Sequence, residues 1–267
     1  MKALLQRSAA QARYVLAGSF VLFFGFQLII VGQASEIERT QSFGRMAELI
    51  PAFLQRGLGS RAMLMASFRG TVALGYFHPV ICAVLAIVAA YLTTEPAHEI
   101  ESGLVDLELA RSVPRHRLLT RSLLLSLAAV AAGLAVMFAG TSLGARLFGA
   151  PLAELPDLWT RLQLLANLGA VAVCFAGFGL LTGALARRWS TAFTTAALTV
   201  VVTYLLDFLA IGWPPMRWIA WISPFHYYEA LSVVAGDAGV LRNLLVLLSV
   251  AVAFTAAAYV RFQRRDL

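Results

Sequence analysis

Six stretches of the chain stay apolar for about as long as a helix needs to cross a bilayer, and the polar residues gather between them. The runs are Tyr14–Gly32, Thr71–Leu92, Leu118–Phe148, Leu162–Ala186, Ala192–Ile211 and Leu241–Val260. A spanning helix takes about 20 predominantly apolar residues. The pattern therefore predicts an all-α, integral membrane six-helix bundle, a single transmembrane domain over 1–267 that leaves no room for a large soluble one. The first run offers small residues near Gly32 and Ala34 where a leader could be cut. It nevertheless exceeds the about 7 to 15 residues of a signal-peptide core, so it is read as an uncleaved span.

The polar intervals are unlike one another. Residues 33–70 mix Glu36, Glu38, Arg39, Arg45, Glu48, Arg56, Arg61 and Arg69 with apolar side chains, which predicts one or two short amphipathic helices at the outer interface, broken near Pro51, Gly57 and Gly59. Residues 212–240 hold Trp213, Trp218, Trp221, Phe225, Tyr227 and Tyr228 among three prolines. Amphipathic rings favour the headgroup level, so a short broken helical hairpin dipping into the outer leaflet is expected there. Residues 94–117 read TEPAHEIESGLVDLELARSVPRHR. Ile100, Leu104 and Leu107 share a helical face, with Glu99, Glu101, Asp106 and Glu108 beside it, the spacing of an amphipathic helix. That helix, over about 94–112, either lies on its own bundle or offers a face to a partner; spacing leaves both open.

Composition agrees with the bilayer as solvent, since 60% of the 267 residues are hydrophobic and 13% charged, against an apolar share of about 45 to 50% in soluble domains. The net charge of +7 does not form a dense basic tract with interleaved aromatics, so nucleic acid is not an expected partner. Arginines instead sit beside the apolar runs: Arg111, Arg115, Arg117 and Arg121 after the second, Arg187 and Arg188 after the fourth, Arg261, Arg264 and Arg265 after the sixth. The positive-inside rule then places both termini in the cytoplasm. The arginines of 33–70 run against the rule, partly offset by their acidic neighbours. Lys2 is the only lysine among 21 basic residues, an arginine bias that suggests a GC-rich bacterium and its cytoplasmic (inner) membrane. Cys82 and Cys174 each lie inside an apolar run, where a thiol acts as a small hydrophobe. Neither has a partner at metal-ligand spacing, so no metal is expected.

The 94–117 interval resembles a motif of ABC-2 type transporter permeases, E-x-E-x-G-T-x-D-x-L-L-A-x-P-V-x-R. Glu99, Glu101, Gly103, Asp106, Leu109, Ala110, Val113 and Arg115 stand in register. Leu104 replaces the usual threonine, Glu108 a leucine, and the proline moves from position 112 to Pro114. SPFHYYEAL at 223–231, the terminal F-Q-R-R-D-L at 262–267 and Ile50-Pro51-Ala52-Phe53 with Gly57 and Gly59 are similar to other segments of that family. The resemblance implies a permease subunit, an exporter working as a homodimer or heterodimer, powered by two copies of a separate P-loop ATPase that binds the ATP and magnesium. It implies that 94–112 is a coupling helix, with Glu99, Ile100, Glu101, Gly103, Leu104, Asp106, Leu107 and Arg115 as the ATPase-coupling residues. No cofactor is expected in the chain itself: a P-loop needs its own lysine, and Lys2 has no G-x-x-x-x-G-K around it.

Other chemistries compete. Gly140-Thr141-Ser142-Leu143-Gly144 matches G-x-S-x-G, and six spans also suit a rhomboid-type intramembrane serine protease. A serine nucleophile needs a base within reach, yet the last span carries no histidine; glycines spaced by four also make a helix-packing face, as do Gly179 and Gly183. A secondary carrier or a structural subunit is a further alternative, although paired interruptions in the two halves, the mark of many carriers, are not visible. His78 and Asp207, ionisable groups deep in apolar runs, are candidates for the pathway or for simple satisfied polar contacts.

Overall fold

Proline at the first position of a helix costs no hydrogen bond, and the residue before it is pushed out of the helical region. His78-Pro79 breaks the second apolar run in this way. In the computed structural model, which describes residues 2–48, 51–52, 61–104, 114–150, 155–236 and 239–265, that run is two helices. His78 between them is extended at φ −59° and ψ 135°, and its ring nitrogen accepts from Val80 N.

In chain order the helices are α1 Lys2–Arg39, α2 Phe43–Glu48, α3 Arg61–Met65, α4 Phe68–Phe77, α5 Pro79–Thr93, α6 Glu95–Glu101, α7 His116–Leu147, α8 Leu158–Leu185, α9 Trp189–Gly212, α10 Arg217–Ala220, α11 Ala230–Ala235 and α12 Val240–Gln263. Short 3₁₀ turns at Pro214–Met216 and Pro224–Tyr227 flank α10. The described residues contain no strand. Six units, α1, α4 with α5, α7, α8, α9 and α12, are long and apolar enough to cross a membrane. The first helix continues past its apolar run to Arg39, taking in residues that the sequence pattern assigns to the outer interface.

α8 is the centre of the bundle and packs on α5, α7, α9 and α12. Its sequence explains why: Gly169, Gly177, Gly179 and Gly183 alternate with buried alanines, and small residues let helix backbones approach closely in lipid. A Cβ on Gly179 would fall 2.5 Å from Thr93 Oγ1 and 2.8 Å from the Ala90 carbonyl oxygen of α5; one on Gly177 would fall 2.7 Å from the Ala251 carbonyl oxygen of α12. α7 packs on α1 by the same device, because a Cβ on Gly140 would meet Gln27 at 2.9 Å and one on Gly144 would meet Val31 at 3.1 Å. These glycines are the flanks of the G-x-S-x-G match, so that spacing has a packing role.

Three polar side chains inside the bundle are tied to one another. Tyr76 of α4 donates to Thr141 of α7 at 2.8 Å, and Thr141 donates to the Gln27 side-chain oxygen of α1 at 3.0 Å, so three spans share one hydrogen-bonded chain. Outward faces of α1, α9 and α12 carry exposed Val21, Ile29, Leu198, Leu205, Leu245 and Val252, the surface that lipid requires.

Close approach at Gly179 leads to an expected outcome. Gly179→Leu should destabilise the solubilised chain by about 1–3 kcal/mol, the usual cost of overpacking, whereas Gly25→Ala, which meets nothing within 4 Å, should leave it unchanged. Thermal unfolding in detergent followed by size-exclusion chromatography distinguishes the two, and equal midpoints would contradict the packing assignment.

Candidate functional site

Two places in the bundle gather ionisable groups, one at each end. The first is built on α6. Thr94 and Glu95-Pro96 start this helix directly after α5, and the i, i+4 spacing of Glu95 and Glu99 places both carboxylates on one face. That face turns into the bundle. Arg121, one turn into α7, lies between them with its side chain fully buried; its Nη2 is 2.8 Å from Glu99 Oε2 and 3.5 Å from Glu95 Oε2. Ser8 of α1 donates to Glu95 Oε1 at 2.7 Å, and Ser122 of α7 approaches Oε2 at 3.4 Å. Two carboxylates therefore join α1, α6 and α7. Desolvation raises the Glu95 carboxyl above its ordinary range, and Arg121 and Ser8 pull it back only in part.

The other coupling residues separate by face. Ile100 packs inward on a cluster with Leu118, Leu119, Leu180 and Phe262. Glu101 is exposed and accepts the backbone N–H of Trp189, the first residue of α9, at 2.8 Å. The helix stops there: Ser102 follows, and Gly103 takes φ +70°, a conformation that favours glycine. Leu104 is half-buried. Asp106 and Leu107 fall outside the described residues, as does the rest of the 94–112 helix beyond Leu104. Arg115 donates to the Arg265 carbonyl oxygen at 2.6 Å, and Arg265 in turn donates to the carbonyls of Ala184 and Ala186 at the end of α8. The arginine-rich terminus thus closes the last turn of the central helix. Beside α6, a cleft of about 240 Å³ is lined by Ser8, Gln11, Tyr91, His98 and Trp189 among others.

The second place is at the opposite end, where the break after α4 faces the end of α9 and the Pro-rich segment before α12. There Phe77, Pro79, Cys82, Tyr204, Asp207 and Phe225 belong to the wall of a cavity of about 370 Å³. The segment 223–231 is held in the bundle by Ser223, which donates to the Thr203 carbonyl oxygen at 2.8 Å, and by Tyr228, which donates to that of Tyr76 at 3.2 Å. Asp207 lies 3.4 Å from the His226 ring nitrogen. His78 turns away from it, its ring 4.8 Å from Phe26 of α1. The two histidine and aspartate positions singled out in the sequence are thus in different surroundings. Ser142 of the G-x-S-x-G run has Arg161 as its hydrogen-bond donor, at 3.5 Å.

Arg121 was visible in the sequence only as one more arginine beside an apolar run. The available signal was its position inside the run, together with two glutamates at helical spacing in the preceding interval. Removing it should be costly, because the loss of one partner from a buried ion pair typically costs about 3–5 kcal/mol. Arg121→Met should lower the unfolding free energy by that order, measured by denaturation in detergent; a change below about 1 kcal/mol would refute the central role given to it here. Glu95 adds a pH dependence. Its raised folded value means the folded state holds the proton more tightly, so its contribution is present at low pH and is lost as pH rises from the ordinary 4.5 through the folded value. Relative to the native chain, Glu95→Gln should gain stability across that interval, and parallel pH profiles would contradict it.

A family model described as the C-terminal domain of the multidrug efflux system permease Rv1217c matches residues 13–263. No match was found among curated proteins. The matched region takes in α1 from Arg13 onward, the other five long apolar helices, α6 and the cavity, with Ser8 lying before it. On that match the chain belongs to the family of the Rv1217c permease C-terminal domain, and it is a membrane permease of the ABC-2 efflux type.

Proposed function

We propose that the chain is the permease subunit of an ABC-2 exporter, a single transmembrane domain that forms the translocation path as a dimer, most simply a homodimer, with two copies of a separate P-loop ATPase. The ATPase binds ATP and magnesium; the permease has no hydrolytic role of its own. Both termini and α6 face the cytoplasm of a bacterial inner membrane, and the 212–240 segment faces out. The path runs between the two copies along α1, the broken span α4–α5 and α9. Because the family model is described as that of a multidrug efflux permease, export of assorted small amphipathic compounds is the activity the reading favours.

The observation that carries the reading is the fastening of α6. Its inner face is tied to α7 through Arg121 and to α1 through Ser8, and at its exposed edge Glu101 holds the Trp189 N–H of α9. Its outer edge, His98, Glu101, Ser102 and Gly103, stays exposed. A push on that edge has no soft link in which to dissipate. It is delivered to three spans at once, among them the first and fifth, which border the path. A solvated loop helix with no partner would not require a buried carboxylate and guanidinium beneath it, with a second carboxylate half-buried beside them, since burying such groups costs several kcal/mol per ion before pairing offsets it.

The tagged chain purified from its native membrane should bring with it a P-loop ATPase at one copy per permease. Ser102→Cys should crosslink to that ATPase through a short bifunctional reagent, and Leu147→Cys, at the far end of α7, should not. The native Cys82 and Cys174 are buried and leave little background. Isolation of the chain without any ATPase, or crosslinking from position 147 instead of 102, would overturn the reading.

A further inference from the structure

The cavity beneath the 223–231 segment has a combination of walls that a purely structural void does not need. Its aromatic and apolar lining includes Phe77, Tyr204, Phe208, Phe225 and Tyr228, and its volume of about 370 Å³ falls within the range of small-molecule sites, about 300–1,000 Å³. Asp207, Glu229 and the His226 imidazole are the acidic and basic side chains among the described lining residues. Asp207 and Glu229 contribute carboxylates, and neither lysine nor arginine is present in that lining. Arg242 reaches Glu229 from outside the cavity at 3.8 Å while remaining mostly exposed.

Asp207 is the informative member. It sits on α9 five residues before Gly212, about 7.5 Å inside the end of the helix at 1.5 Å rise per residue. An ionisable group at that depth in a spanning helix is expensive and usually functional. Its described partner is the His226 imidazole at 3.4 Å, and a quarter of its side chain remains exposed. A carboxylate set among π-faces attracts a cation twice, by its charge and by the ring quadrupoles, while the apolar walls accept an organic body.

We propose that this cavity binds a monovalent amphipathic organic cation, with Asp207 as its counter-charge and the rings of Tyr204, Phe225 and Tyr228 against its apolar body. Glu229, paired with the exposed Arg242, adds a second carboxylate to the lining. The proposal deepens the permease reading by giving the site a substrate class, and it rests on that reading for its transport meaning alone. The cavity opens where the span is broken at His78-Pro79. A ligand held there lies against both halves of that span and the end of α9, two of the elements that border the path.

The probe is tetraphenylphosphonium, with triphenylphosphine oxide as an uncharged body of similar shape, measured by equilibrium dialysis against the purified full chain in nanodiscs. The cation should bind the native chain at least tenfold more tightly than the neutral compound. Asp207→Asn should weaken cation binding at least tenfold and leave the neutral compound unchanged, and Asp207→Glu should restore most of the loss. A photoreactive aryl phosphonium should label peptides within 204–211 or 225–232 of the native chain, a result independent of whether any variant folds. Equal binding of the two compounds, no loss in Asp207→Asn, or labelling confined to other segments would overturn the proposal. None of these readouts involves the ATPase, so failure here is separable from failure of the partner purification that tests the permease reading.

Discussion

A buried guanidinium is the constraint around which one end of this molecule is arranged. Arg121 occupies a helix that is otherwise apolar enough to cross a membrane, and its side chain has no exposure at all. An unpaired ion in such surroundings would cost several kcal/mol, so the fold has to bring carboxylates to it. They come from α6, a helix of seven residues that would be marginal by itself in water. The pairing therefore works in both directions: the ion is tolerated because α6 is docked, and α6 is held in one place because the ion is there. Glu95 also accepts from Ser8, which carries the arrangement across to α1.

The central helix supplies the second half of the constraint. Gly179 lets α8 approach Thr93 so closely that a methyl group would collide with it, and at Gly183 a methyl group would press on the Thr93 and Thr94 backbone at 3.1 Å. That approach fixes the junction between α5 and α6, and so fixes where Glu95 begins. Arg265, bonded to the final carbonyls of α8, ties the chain terminus to the same end. Charge pairing and small-residue packing thus converge on one short segment, each setting a different coordinate of it.

The spans were legible because a bilayer imposes a length and a polarity on each one, and both are written in consecutive residues. All-α architecture and the six long apolar helices follow directly from that rule. Legibility falls where three-dimensional neighbours decide. Phe77-His78-Pro79 reads as part of one apolar run, though the restriction that Pro79 places on His78 was the available sign of a break. The aromatic segment reads as an interfacial anchor by composition, yet Ser223 and Phe225 are buried within the bundle, Ser223 hydrogen-bonded and the Phe225 ring tilted against that of Phe175. Among the residues of the coupling motif, spacing put Glu99 beside an apolar stripe that could either lie on its own bundle or face a partner. In the structure it is 2% exposed and Ile100 turns inward as well, because the pairing with Arg121 depends on a residue more than twenty positions away. Glu101 and Gly103 stay at the surface, where helix termination by a left-handed glycine could be anticipated from sequence.

The two ends of the bundle are joined by α5 and α8, the most deeply buried spans, while the helices with the largest outward faces are α1, α9 and α12. This division has a mechanical consequence. In the coupling role proposed for α6, a displacement applied to it would appear as relative motion of the outer helices, because the tightly packed interior of α5 and α8 is poorly compressible. α9 receives that motion directly through the Trp189 N–H held by Glu101, and its other end carries Asp207 and the wall of the cavity. The break at His78-Pro79 lies against the same wall. It removes a backbone hydrogen bond from the second span at the level where the cavity opens, so α4 can tilt without bending a continuous helix. Under that proposal, movement at one end of α9 would reach the cavity at the other through a single helix and one interrupted neighbour.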